Sequence, residues 1–174
     1  RAMQALSSRQ QRVLTLLPLL FHVNHPLLPG YVSAQTPAGL AGFEPGAELL
    51  AEAQRLTRSF AYKPPRAPAP TPIHGLFLMG SLGTLAQAEQ SDMDLWVCHA
   101  SELDSDARDA LRRKCDLLQS WAASQGAEAH FFLIDPERFR SGARDAQLTS
   151  DDCGTTQHVP VSYTHLRAHE TPEH

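Results

Sequence analysis

Apolar residues recur along this chain in two rhythms. Between residues 3 and 17, Leu6, Val13, Leu17 and, less cleanly, Leu14 share one face, with Arg9, Gln10 and Arg12 opposite. That 3.6-residue period predicts a helix. Pro18 is expected to end or kink it, because the proline ring clashes with the carbonyl one turn back. From His22 to Gly46 the period disappears among Pro26, Pro29, Pro37, Pro45 and Gly30, Gly39, Gly42, Gly46, which predicts a long, ordered or semi-ordered loop, of a length usually functional or disordered. Leu49, Leu50, Ala53, Leu56 and Phe60 restore a helical stripe over 47–60. Residues 64–72, rich in proline, read as a stiff extended linker.

Beyond the linker the rhythm shortens. Residues 73–79 form an apolar run with Leu76, Phe77 and Leu78 at its centre, and predict a buried strand. Gly80-Ser81-Leu82-Gly83 reads as a tight turn, and residues 84–89 could open a short helix. Residues 93–99 alternate, with Met93, Leu95 and Val97 on one face and Asp94, Trp96 and Cys98, preceded by Asp92, on the other. A helix capped by Asp104 or Ser105 runs to about Ser124, with Ala107, Leu111, Cys115, Leu118 and Ala122 inward and Gly126 as terminator. Residues 128–134 make a third strand, and Asp135-Pro136 turns away. The expected class is α+β: a mixed sheet with flanking helices, preceded by an N-terminal helical segment.

Composition adds exclusions. Hydrophobic residues are 42% and charged residues 20% of 174, ordinary globular values that exclude a wholly disordered chain. A net charge of −4 argues against a broad nucleic-acid surface. Cys98, Cys115 and Cys153 lie far apart with no CxxC pair, so they read as thiols in a reducing cytoplasm. The apolar stretch 13–28 is broken by Pro18, His22, Asn24, His25 and Pro26, which argues against membrane insertion.

The chemistry concentrates in Gly80-Ser81-Leu82-Gly83 and Ser91-Asp92-Met93-Asp94-Leu95-Trp96. Aspartates at i and i+2 of a strand point to one face, where their like charges repel unless a cation neutralises them. Hard carboxylate oxygens suit Mg²⁺, which keeps room for substrate phosphates. A Gly-Ser-x-Gly turn lets backbone N–H groups and a hydroxyl approach a phosphate. Together these describe a metal–nucleotide site.

That combination resembles the nucleotidyltransferase superfamily built like the DNA polymerase β palm. Closer still, residues 16–32, the string Gly42-Phe43-Glu44-Pro45-Gly46, residues 80–98 and 130–135 are similar to the N-terminal part of bacterial class I adenylate cyclases. The resemblance covers roughly residues 9–158. It implies a nucleotidyltransferase-like sheet and conversion of ATP to 3′,5′-cyclic AMP and pyrophosphate, by two-metal-assisted attack of the ribose 3′-hydroxyl on the α-phosphate. Carried over by motif, Asp92 and Asp94 hold Mg²⁺ or Mn²⁺, and Gly80, Ser81 and Gly83 hold phosphate. Ser91 and Trp96 sit at the nucleotide. A third catalytic carboxylate is expected from the last strand, with Glu128 as candidate and Asp135 as rival. The alternatives are nucleotidyl transfer to an external hydroxyl, or a nucleotide-binding module without turnover.

The same resemblance divides the chain into an N-terminal segment (1–63), the linker (64–72) and an incomplete nucleotidyltransferase core (73–158). Residues 159–174 lack any period and read as translated sequencing-adapter sequence. Regulatory protein contacts are expected through a C-terminal half missing here, and Arg at position 1 also reads as a fragment. Other features read as ordinary surface or structure. His22 and His25 are loop histidines rather than a metal pair, His130 is a strand surface residue, and the Arg112-Arg113-Lys114 run is a solvated helix face, as are Arg55 and Arg58. Trp96 either stacks on a base or packs in the core.

Overall fold

The computed structural model describes residues 6–66, 68–79 and 92–140, together with the backbone of 163–165. Its first helix, α1 (Ser8–His22), starts at a capping box. The Ser7 hydroxyl accepts from the Gln10 amide at 3.1 Å, and the Gln10 side chain accepts from the Ser7 amide at 3.0 Å. Gln10 is therefore buried at the helix start rather than solvated as its position on the polar face suggested. Pro18 neither ends α1 nor marks its last turn, since the helix continues to His22. The proline forfeits one backbone bond, but it lies within the buried run Leu16 to Phe21, and burial of those side chains outweighs the loss.

Helix α2 (Ala47–Leu56) stops four residues short of the predicted end, at Thr57 in extended conformation. Strands β1 (Ile73–Met79) and β2 (Met93–His99) form where the sequence predicts them, β1 from its apolar run and β2 from its alternation. Helix α3 (Ser105–Ser124) is capped by Asp104, whose carboxylate accepts from the Ala107 amide at 2.8 Å. Gly126 follows it with a φ of +86°, as a C-terminal glycine should. Then come β3 (Ala129–Ile134), the short α4 (Pro136–Arg140) and β4 (Tyr163–His165).

The fold is α+β. The sheet is mixed, in the order β3-β2-β1-β4. β1 runs antiparallel to β2 and to β4, whereas β2 and β3 are parallel, with α3 forming the crossover. No element was expected in the tail. Its backbone nevertheless pairs Tyr163–His165 with Met79–Phe77, because the open edge of β1 accepts any extended segment.

One face of the sheet carries a continuous core that includes Leu76, Leu78, Met93, Leu95 and Val97 with α1, α2 and α3. The Pro/Gly-rich loop is ordered and joins this core. Leu40 bridges to Ile73 at the start of β1, supported by the Ile73 amide donating to the Gly39 carbonyl at 3.0 Å. Gly30 has a φ of +90°, and a Cβ there would lie 2.9 Å from a Leu118 methyl. Only glycine fits that approach of loop to α3.

Lys114 is the main departure on this side. It is fully buried in α3, donates to the Gly30 carbonyl at 3.3 Å, and holds its ammonium 5.8 Å from the Phe21 ring centroid. The basic run is therefore not a uniform solvated face: Arg113 is exposed, and Lys114 points inward because it lies three residues after Leu111 on the buried stripe.

Candidate functional site

The opposite sheet face carries the chemistry. Because β2 and β3 are parallel with Met93 opposite Ala129 and Asp94 opposite His130, alternate side chains of the two strands project from the same face. Asp92 stands just before β2 and Glu128 just before β3, and the Met93 amide donates to the Glu128 carbonyl at 2.9 Å. Ligand atoms of Asp92, Glu128 and His130 all lie within 4.8 Å of one another. The His130 Nε2 is 3.0 Å from the Asp92 Oδ2.

The electrostatics follow from this crowding. A hydrogen bond with the Asp92 carboxyl, then repulsion from its charge, raise the pKa of Glu128. Asp94 is half-buried; burial raises its pKa, proximity to His130 lowers it in part, and the Asp92 charge raises it again. A second carboxylate disfavoured by its neighbours is what a divalent cation would relieve. Two carboxylates and an imidazole within one ion's reach, with Asp94 alongside, fit such a cation.

The expected site residues are distributed as follows. Asp92 and Glu128 come together at the matched strand ends, and Asp94 adjoins them. Asp135 lies at the far end of β3, where its Oδ1 accepts from the Ser101 hydroxyl at 2.7 Å and from the Glu137 amide at 3.0 Å. Burial would raise its pKa, but these bonds and that from the Arg138 amide hold it below the usual carboxylate value. It serves α4 rather than the acidic cluster. Gly80, Ser81, Gly83 and Ser91, and the short helix expected at 84–89, lie outside the described residues; so does Cys153. Met79, which immediately precedes Gly80, pairs with Asp94.

Trp96 is 8% exposed and packs with Met79, Phe132 and Ile134, its ring edge-on to Phe139 at 5.5 Å. Its indole N–H has no partner among the described residues. His22 and His25 are structural: the Leu40 amide donates to the His22 Nδ1 at 3.0 Å, and the Leu27 amide to the His25 Nδ1 at 3.1 Å. Arg55 pairs with Glu52 at the surface. A cleft of about 640 Å³ opens between the first turn of α1, Gly126 and Glu128.

His130 is the residue that sequence reasoning missed. Its signal was present, since Glu128-x-His130 repeats the spacing of Asp92-x-Asp94, but only the parallel register sets the two pairs side by side.

A family model described as the adenylate cyclase NT domain matches residues 1–161. Proteins named adenylate cyclase from Escherichia coli K12 and Salmonella typhimurium LT2 are 43% identical to this chain over 162 residues. One from Yersinia pestis is 42% identical over 163. Each alignment covers 91% of this chain but 19% of the relative, so the chain spans about a fifth of the length of these proteins. No solved structure matches. Among the described residues no helix is long and apolar enough to cross a membrane.

Proposed function

The chain belongs to the adenylate cyclase N-terminal domain family, and from that premise we propose that its acidic sheet face is the metal–nucleotide site of an adenylate cyclase. The reaction is conversion of ATP to 3′,5′-cyclic AMP and pyrophosphate. The observation that carries this reading is the convergence of Asp92, Asp94 and Glu128 at the paired starts of two parallel strands, beside the strand end that leads into Gly80-Ser81. The sheet is then of nucleotidyltransferase type, and its carboxylates hold Mg²⁺ or Mn²⁺.

When bound, the cation polarises the α-phosphate and stabilises charge on the attacking and leaving oxygens. The chain's own residues do the positioning. Asp92, just before β2, and Asp94, on it, would hold the cation. Glu128 completes the carboxylate set from β3. Gly80, Ser81 and Gly83 bind the phosphate chain, with Ser91 beside the first aspartate. The oxygen of the ribose 3′-hydroxyl bonds to the α-phosphorus and gives up its proton to solvent, the bond from that phosphorus to the bridging oxygen breaks, and pyrophosphate leaves with the electron pair. Trp96 lies on the same face two residues along β2, packed on Phe132 and Phe139. Regulatory contacts fall to segments that the longer relatives possess beyond this region.

The test uses the full-length protein with labelled ATP and Mn²⁺ or Mg²⁺, beside an Asp92→Asn/Asp94→Asn variant. Cyclic AMP is expected from the native protein, with a loss of at least about 100-fold in the variant. A folded native protein that binds ATP and yields none would overturn the reading. A labelled acceptor instead would identify nucleotidyl transfer to an external hydroxyl.

A further inference from the structure

Building on the divalent-cation reading above, we propose that His130 supplies a nitrogen ligand to the ion held by Asp92 and Glu128, and that this nitrogen tilts the site toward Mn²⁺ over Mg²⁺. Three observations carry the inference. The His130 Nε2 lies 3.0 Å from the Asp92 Oδ2. Six-coordinate ions with bonds of about 2.1 Å hold adjacent donors roughly 3 Å apart, so this pair already has the spacing of two neighbouring ligands. The Glu128 carboxylate is exposed and lies within 4.8 Å of both. The imidazole is 36% exposed, so the nitrogen is open to an arriving ion and not sealed in the strand packing.

Parallel register supplies the rest. His130 sits opposite Asp94, which places the imidazole among carboxylates of both strands rather than at the margin of the cluster. The imidazole would offer its Nε2 lone pair to an ion held there.

Ligand type decides the preference. Mg²⁺ is hard, dehydrates reluctantly and prefers oxygen, whereas a first-row transition ion gains more from a nitrogen donor. A purely carboxylate version of the cluster should therefore treat the two ions more evenly than this one.

The experiment is direct metal binding to the full-length protein. Free Mn²⁺ is counted by electron paramagnetic resonance with and without competing Mg²⁺, and pulsed spectra of the bound ion are inspected for coupling to a nitrogen nucleus. His130→Ala and His130→Gln are compared, the glutamine keeping an N–H donor toward Asp92 while lacking the ring nitrogen. The native protein should show nitrogen coupling that both variants lose, and its Mn²⁺-over-Mg²⁺ preference should fall about tenfold in both. Bound Mn²⁺ without nitrogen coupling, or a native preference retained by His130→Gln, would overturn the proposal and leave His130 as a support for Asp92. If Asp92→Asn binds Mn²⁺ as the native protein does, the cation reading itself fails, and the His130 inference with it.

Discussion

Replacing Lys114 by methionine should stabilise this fold at neutral pH and lose that advantage at alkaline pH. The ammonium is buried in α3, and burial pulls its pKa down from 10.5 to about 8. At 1.36 kcal/mol per pKa unit, holding the charge there costs about 3 kcal/mol. Methionine keeps the length and apolar stem of the side chain but gives up the 3.3 Å bond to the Gly30 carbonyl, a loss of about 1 kcal/mol. The variant should therefore gain about 2 kcal/mol at pH 7. The pH dependence follows from the sign of the shift. A base whose folded pKa is depressed binds fewer protons folded than unfolded, so native stability is least below pH 8 and rises from there toward 10.5. By pH 10 the folded amine is neutral and still donates to Gly30, but the unfolded lysine is still mostly protonated and about 0.8 kcal/mol of the cost remains, so the methionine variant's advantage falls to roughly zero. Cys98, whose thiol burial pushes up to about 11, lowers stability over the same alkaline range, but equally in both proteins. The assay is urea denaturation at pH 7 and pH 10, followed by fluorescence of Trp96 and Trp121. A variant less stable by the same margin at both pH values would refute the reasoning, because the charge would then carry no cost.

Two other substitutions test how the N-terminal segment is held to the sheet. Gly30→Ala combines a φ of +90° with a 2.9 Å approach to Leu118, and should lower stability by about 2–3 kcal/mol in the same denaturation assay. Ser7→Ala removes one half of the capping box and should cost about 1 kcal/mol, with hydrogen exchange rising in the first turn of α1 while α3 stays protected.

The parts of the fold that were legible in the sequence are those whose side chains report their own environment. Residues 93–99 alternate and form a strand; 105–124 repeat at helical spacing behind Asp104 and form a helix. The same period placed Lys114 on the buried stripe, but its charge, read with Arg112 and Arg113, outweighed its position. Pro18 was read through its local cost, whereas the surrounding burial decided the outcome. Asp135-Pro136 was taken as a turn, although aspartate before proline is also a helix start, and here Asp135 accepts from the amides of Glu137 and Arg138. Of the candidate site, the aspartate pair on β2 was visible as a local pattern. The place of His130 depends on a strand register between segments some 36 residues apart, and no local pattern encodes that. The edge strand at 163–165 rests on backbone pairing alone, which leaves no trace in side-chain periodicity.

The burial of α1 also sets an order of events during synthesis. Leu14, Leu16, Leu17, Leu19, Leu20 and Phe21 are all buried, yet the surface that covers them includes residues as late as Leu118 and Phe131. A ribosome adding 5–20 residues per second needs roughly 5–20 s to make the intervening hundred residues. For that interval the helix emerges with an apolar surface and no sheet to receive it. The nascent chain is then a substrate for holding chaperones, and slowing translation between the linker and α3 should lengthen its dependence on them.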